Sequence, residues 1–170
     1  MRPQELKLVT LTLCVLVLAG CGALTASLPA TSPTPASTPT TEQRITTLVQ
    51  RAIGKNAARS ATTYAVTAAS VNVIATVATF SSVTSAQEIV KVLCFRIQDA
   101  LWTSGIPLKQ VNVTVEGPIY DIYGDRTVGG YGGALLYGST AAKLAWESLS
   151  PDSAWNAYDS MWLTPTYNND

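Results

Sequence analysis

An α+β fold is predicted by three features of this 170-residue chain. Two segments, 43–54 and 85–102, repeat apolar residues at helical spacing, and each is followed by two runs rich in β-branched residues. In the closing stretch, 139–165, capping residues and aromatic residues at helical spacing return. The predicted order is helix–β–β–helix–β–β–helix–helix, with an antiparallel four-stranded sheet and the helices packed on it.

In the first helix Ile45, Leu48, Val49, Ala52 and Ile53 form the apolar stripe, and Gly54 and Asn56 stop it. Tyr64 to Thr67 and Val71 to Val77 alternate as strands, and Ala68 to Ser70 is short enough for a hairpin connection. The second helix has a capping-box spacing at Ser85 and Glu88, with a rival at Thr84 and Gln87. Ile89, Leu93, Ile97 and Ala100 make its main stripe, widened by Val90 and Leu101, and Gly105 and Pro107 end it. Phe95 and Trp102 project from another side, among Lys91, Gln98 and Asp99. The favoured reading is that the closing helices cover this aromatic face; left bare, it is a partner site.

Val111, Val113 and Val115 alternate with Asn112, Thr114 and Glu116, a strand with one buried face. It runs through Gly117-Pro118, a bulge or edge feature, into Ile119 to Ile122, and Tyr123 to Arg126 form a turn. Gly129 to Gly133 lead into Ala134 to Tyr137, a hairpin or bulged edge strand. Ser139 or Thr140 caps a short helix over 141–149, and Ser150 followed by Pro151 starts another. Trp155, Tyr158 and Trp162 keep helical spacing in it and are expected in the core.

The start of the chain is of a different kind. Arg2 and Lys7 precede an apolar stretch, Leu8 to Leu18, that is about half the roughly 20 residues a spanning helix needs. It ends in Leu18-Ala19-Gly20-Cys21, with small residues before a thiol. These four residues resemble the lipobox of bacterial lipoprotein precursors. The resemblance covers residues 1–21 and implies diacylglycerol on the Cys21 sulfur, cleavage before Cys21 and acylation of the new amine. Such an anchor is effectively stable at roughly 0.8 kcal/mol per buried methylene. It places the protein on the extracytoplasmic face of a bacterial membrane, the outer one included if the cell has one. Gly22 in place of Asp offers no inner-membrane retention signal.

Four domain regions follow. Residues 1–20 are a removed signal peptide, 21–41 the lipidated cysteine and a tether, 42–165 a single α+β domain and 166–170 a frayed tail. The tether holds Pro29, Pro33, Pro35 and Pro39 among hydroxyl residues without one charge, which builds no core. Extended as polyproline II it reaches roughly 60 Å.

Loss of residues 1–20 removes Arg2, Lys7 and Glu5 and leaves nine basic against ten acidic residues. That balance argues against nucleic acid as a partner. Arg44, Arg51, Lys55 and Arg59 outnumber Glu42 in 42–59, a solvated surface or a patch for anionic lipid. With Cys14 removed and Cys21 lipidated, Cys94 is the one remaining thiol, and its setting among Leu93, Phe95 and Ile97 makes it an inert core residue.

No histidine is present, which removes Ser-His-Asp and Cys-His catalysis and the usual zinc ligands. No metal and no cofactor is expected, and no catalytic residue is assigned. Glu116, Asp121 and Asp125 cluster in sequence as the weak alternative of an envelope glycan or cell-wall hydrolase; solvated strand and turn acids are the favoured reading. The glycine run lacks the Gly-Lys-Ser/Thr of a phosphate loop.

The expectation is therefore a membrane-anchored, non-catalytic binding or accessory module of the cell envelope. Its partners are the membrane, through the lipid on Cys21, and an envelope protein or a glycan. The site is expected at Tyr120, Tyr123 and Tyr131, with Phe95 and Trp102 added if their face is bare. A structural subunit of an envelope complex is the remaining alternative.

Overall fold

The computed structural model describes residues 38–164 apart from 55–58, 68, 121 and 122, with the side chains of 62–67 and 83 also left aside. The element order is α1 (Thr41–Ile53), β1 (Arg59–Thr67), β2 (Ser70–Val77), α2 (Val83–Trp102), β3 (Gln110–Tyr120), β4 (Arg126–Tyr137), α3 (Gly138–Ala141), a 3-10 turn at Trp146–Ser148, α4 (Pro151–Trp155) and β5 (Ser160–Leu163). The α+β class holds, but the sheet has five strands in the order β1-β2-β3-β4-β5 and is mixed rather than antiparallel. Among the described residues no helix is long and apolar enough to cross a membrane.

The parallel pair is β2 and β3, with Val71 beside Val111 and Ala75 beside Val115. Its cause is α2, whose 20 residues span about 30 Å and carry the chain back along the sheet before β3 begins. Lys109 and Gln110 N–H both donate to Ala69 O, so β3 starts beside the β1–β2 turn. The β1–β2, β3–β4 and β4–β5 pairs are antiparallel.

One sheet face carries the core. Val71, Val73, Ala75 and Val77 of β2 and Val111, Val113 and Val115 of β3 are buried against α1 and α2. Ile45, Val49 and Ile53 of α1 meet them, as do Val90, Leu93, Cys94, Ile97 and Leu101 of α2. Each fully buried Leu, Ile or Val stabilises the fold by about 1.5–3 kcal/mol relative to exposure. Thr40 caps α1, with its side chain accepting from Gln43 N–H and the Gln43 amide returning to Thr40 N–H.

Four expectations are corrected. The cap of α2 is Ser82; Ser85, expected as the cap, is the third helical residue and accepts from Ser82 N–H. The helix expected over 141–149 shrinks to α3 and a 3-10 turn, because Thr140 Oγ1 donates to Asp159 Oδ1 rather than capping a helix. The helix after Pro151 stops at Trp155, and Met161 and Trp162 instead belong to β5, opposite Ala134 and Gly133. Asp159 makes that turn: Oδ2 accepts from Tyr137 N–H at 2.7 Å and its own N–H donates to Leu135 O. Finally, β3 runs straight through Gly117-Pro118, and the bulge lies on β4, where Gly132 and Gly130 face Val115 and Glu116 and Tyr131 is the extra residue.

Candidate functional site

Because β2 and β3 run in parallel, their C-terminal ends lie at the same end of the sheet. An antiparallel pairing would have put the segment after β2 and the end of β3 at opposite ends. Here Thr79, Phe80 and Ser82 join Pro118, Tyr120 and Tyr131 around a cleft of about 260 Å³. In open sheets with parallel strands, the carboxyl ends of those strands are a usual place for ligands.

The walls follow from local sequence. Gly117 has no Cβ, and one placed there would overlap the Phe80 ring, so the glycine admits Phe80 onto the strand. Tyr131, thrown out of register by the bulge, leans on Phe80 with ring centroids 4.4 Å apart and planes at 43°. Its hydroxyl donates to Pro118 O at 2.6 Å, and burial, then Tyr120, pushes its phenol above the usual tyrosine range. Arg126 Nη2 donates to Ala78 O at 3.0 Å and pins the start of β4 to the loop before α2. The lining residues carry no charge, so the cleft offers aromatic surface, hydroxyls and backbone groups.

Two of the five residues expected to bind, Tyr120 and Tyr131, line this cleft, and Tyr123 does not. Tyr120, 61% exposed, stands on the rim, Tyr131 forms the wall, and Tyr123, 84% exposed, sits in the β3–β4 turn beside Gly124. Gly124 adopts φ +87°, a conformation that suits glycine. Phe95 and Trp102 are elsewhere, each half-buried against the core. Phe95 stacks on Trp146 at 6.5 Å, and Trp102 Nε1 donates to Gln98 Oε1 at 2.8 Å. Trp102, Leu144 and Trp146 border a second hollow of about 400 Å³ with Leu108 and Gly138.

Glu116 faces Gly130 across the strands, and Asp125 lies past the last β3–β4 pair, Tyr120 with Arg126. Along the backbone, Glu116 and the end of that pairing are four strand positions, about 13 Å, apart. Asp121 lies outside the described residues, as does Cys21. Among the described residues no three His, Cys, Asp or Glu gather where a metal ion could be held.

Phe80 was not singled out from the sequence, since its partner Gly117 is 37 residues away. Trp162 was expected in the core, yet it is 46% exposed. Comparison with protein-family models, with curated proteins and with solved structures gives no match.

Proposed function

We propose that this chain is an extracytoplasmic bacterial lipoprotein, anchored through Cys21, whose domain is a non-catalytic binding or accessory module of the cell envelope. The anchor reading is supported by Leu18-Ala19-Gly20-Cys21 after a basic start and a short apolar stretch. The binding reading is carried by one observation: Tyr120 stands exposed on the rim of an uncharged aromatic cleft walled by Phe80 and Tyr131. An aromatic side chain held this way contributes a large apolar surface at little entropic cost once a ligand covers it.

Two measurements test the proposal. Mass spectrometry of the mature N-terminus should find acyl chains on Cys21, and Cys21→Ser should move the protein out of the membrane fraction. A photo-reactive residue at position 120, in the intact lipoprotein in cells, should cross-link to a discrete envelope component. An unacylated Cys21 overturns the anchor, and absence of any cross-linked species overturns the cleft as the site.

A further inference from the structure

The sheet face turned away from α1 and α2 is built differently from the cleft. The strand register sets Asn72, Asn112 and Leu135 in one row and Ile74, Thr114, Gly133 and Trp162 in the next. Tyr137, 44% exposed, stands one row beyond the first, opposite Gln110. Two exposed aromatic rings thus flank a mixed centre in which the Asn72 and Asn112 amides and the Thr114 hydroxyl lie beside Leu135 and Ile74, with Tyr137 and the partner position of Trp162 about 13 Å apart along β4.

Trp162 is seated by glycine. A Cβ on Gly130 would lie 2.7 Å from its Cη2 and one on Gly133 2.9 Å from its Nε1, so the indole rests that edge on bare backbone. Asn112 Nδ2 donates to Asn72 Oδ1 at 3.4 Å, which leaves the Asn72 amide nitrogen and the Asn112 amide oxygen with bonding capacity.

Charge selects the occupant. On β2 to β5, the rows from Tyr137 to Trp162 hold no charged side chain, and the next row holds Glu116. A phosphate or an acidic polymer finds no cation in those rows and meets the carboxylates of Glu116 and, bonded to Tyr137 N–H, Asp159. A second copy of the chain would need about 800 Å² per partner with an apolar centre, and here two amides and a hydroxyl interrupt the apolar positions of Leu135 and Ile74. A neutral polyol is complementary on both counts: its hydroxyls suit the amides and Thr114, and its C–H faces suit aromatic rings. We infer that this face binds an uncharged glycan chain, with Tyr137 and Trp162 stacking on sugar rings and Asn72, Asn112 and Thr114 bonding its hydroxyls. The inference stands apart from the cleft and from the lipid anchor.

The test is titration of the full chain with three probes: hexamers of β-1,4-linked N-acetylglucosamine, hexamers of β-1,4-linked glucose, and heparin as a polyanion. At least one neutral hexamer should bind, with an affinity unchanged between low and high salt. Trp162→Ala and Tyr137→Ala should each weaken it about tenfold, Trp162→Phe should retain most of it, and Arg44→Ala on α1 should leave it intact. Circular dichroism and melting confirm that each variant is folded, and Tyr137→Ala serves if Trp162→Ala is not. Failure of both neutral hexamers to bind overturns the inference. So does binding of heparin alone, or hexamer binding that survives both alanine variants. Sedimentation showing a dimer that Trp162→Ala dissociates would assign the face to self-association instead.

Discussion

Gln98 and Trp102, one helical turn apart on α2, form a pair in which the fully buried amide Oε1 accepts the indole Nε1–H at 2.8 Å. The same amide donates from Nε2 to Val111 O of β3 and Ala134 O of β4, at 3.2 and 3.3 Å. One side chain thus ties the long helix to two strands and to the aromatic layer above it. Gln98→Ala leaves the Trp102 donor without its acceptor and opens a void, a loss of about 2–4 kcal/mol. Denaturant unfolding should show that drop, and Trp102→Phe should cost less, since Gln98 then keeps both donated bonds.

Cys94 lies at 0% exposure in the core, and burial pushes its thiol far up from the ordinary range. A thiolate is the reactive form, so Cys94 reacts only when α2 opens. In a chain carrying Cys14→Ser and Cys21→Ser, a thiol reagent should find essentially no reactive sulfur in the native protein and one per chain in denaturant. Rapid native labelling would place Cys94 outside the core.

Partial burial desolvates the Asp99 carboxyl and raises it above its ordinary range. The fold favours its protonated form. The resulting stabilisation is complete below the ordinary pKa of 3.8 and is lost as pH rises through the raised value. At neutral pH a charged Asp99 therefore weighs slightly against folding. Asp99→Asn should melt above the parent at neutral pH, with a small margin because the side chain is partly solvated, and the margin should vanish as pH falls below 3.8. Melting curves of both proteins across that range decide it.

What was legible in the sequence is what depends on neighbours in sequence. The α1 stripe, the β1–β2 hairpin, the alternation of β3 and the Ser150-Pro151 start are local patterns, and each is present. Pairing direction is not local: it depends on where residues 103–109 return the chain, and there β3 came out parallel to β2. Trp155, Tyr158 and Trp162 suit a helix by spacing, but only Trp155 and Tyr158 are buried. Residues 160–163 found a better partner in the glycine-rich β4, far back in the chain. The site shows the same division. Tyr120, Tyr123 and Tyr131 could be marked as aromatic residues around a turn, whereas Phe80 needed Gly117 and the parallel pair to reach Tyr120 and Tyr131.

The two glycines under Trp162 should answer differently to the same substitution. At Gly133 a Cβ would sit 2.7 Å from Val113 O, and a backbone carbonyl inside a paired sheet cannot step aside. Gly133→Ala must push β4 away from β3, at about 1–3 kcal/mol. At Gly130 the nearest atom is Cη2 of Trp162, also at 2.7 Å, but this is the far end of a half-exposed side chain on an edge strand. The indole can swing out, and alanine also restricts the unfolded chain by about 0.4–1 kcal/mol, so Gly130→Ala should leave stability nearly unchanged. Its effect should be read in the tryptophan itself, as a rise in the fraction of emission quenched by acrylamide. Equal destabilisation by the two variants would mean that Trp162 is locked on the sheet rather than resting on it.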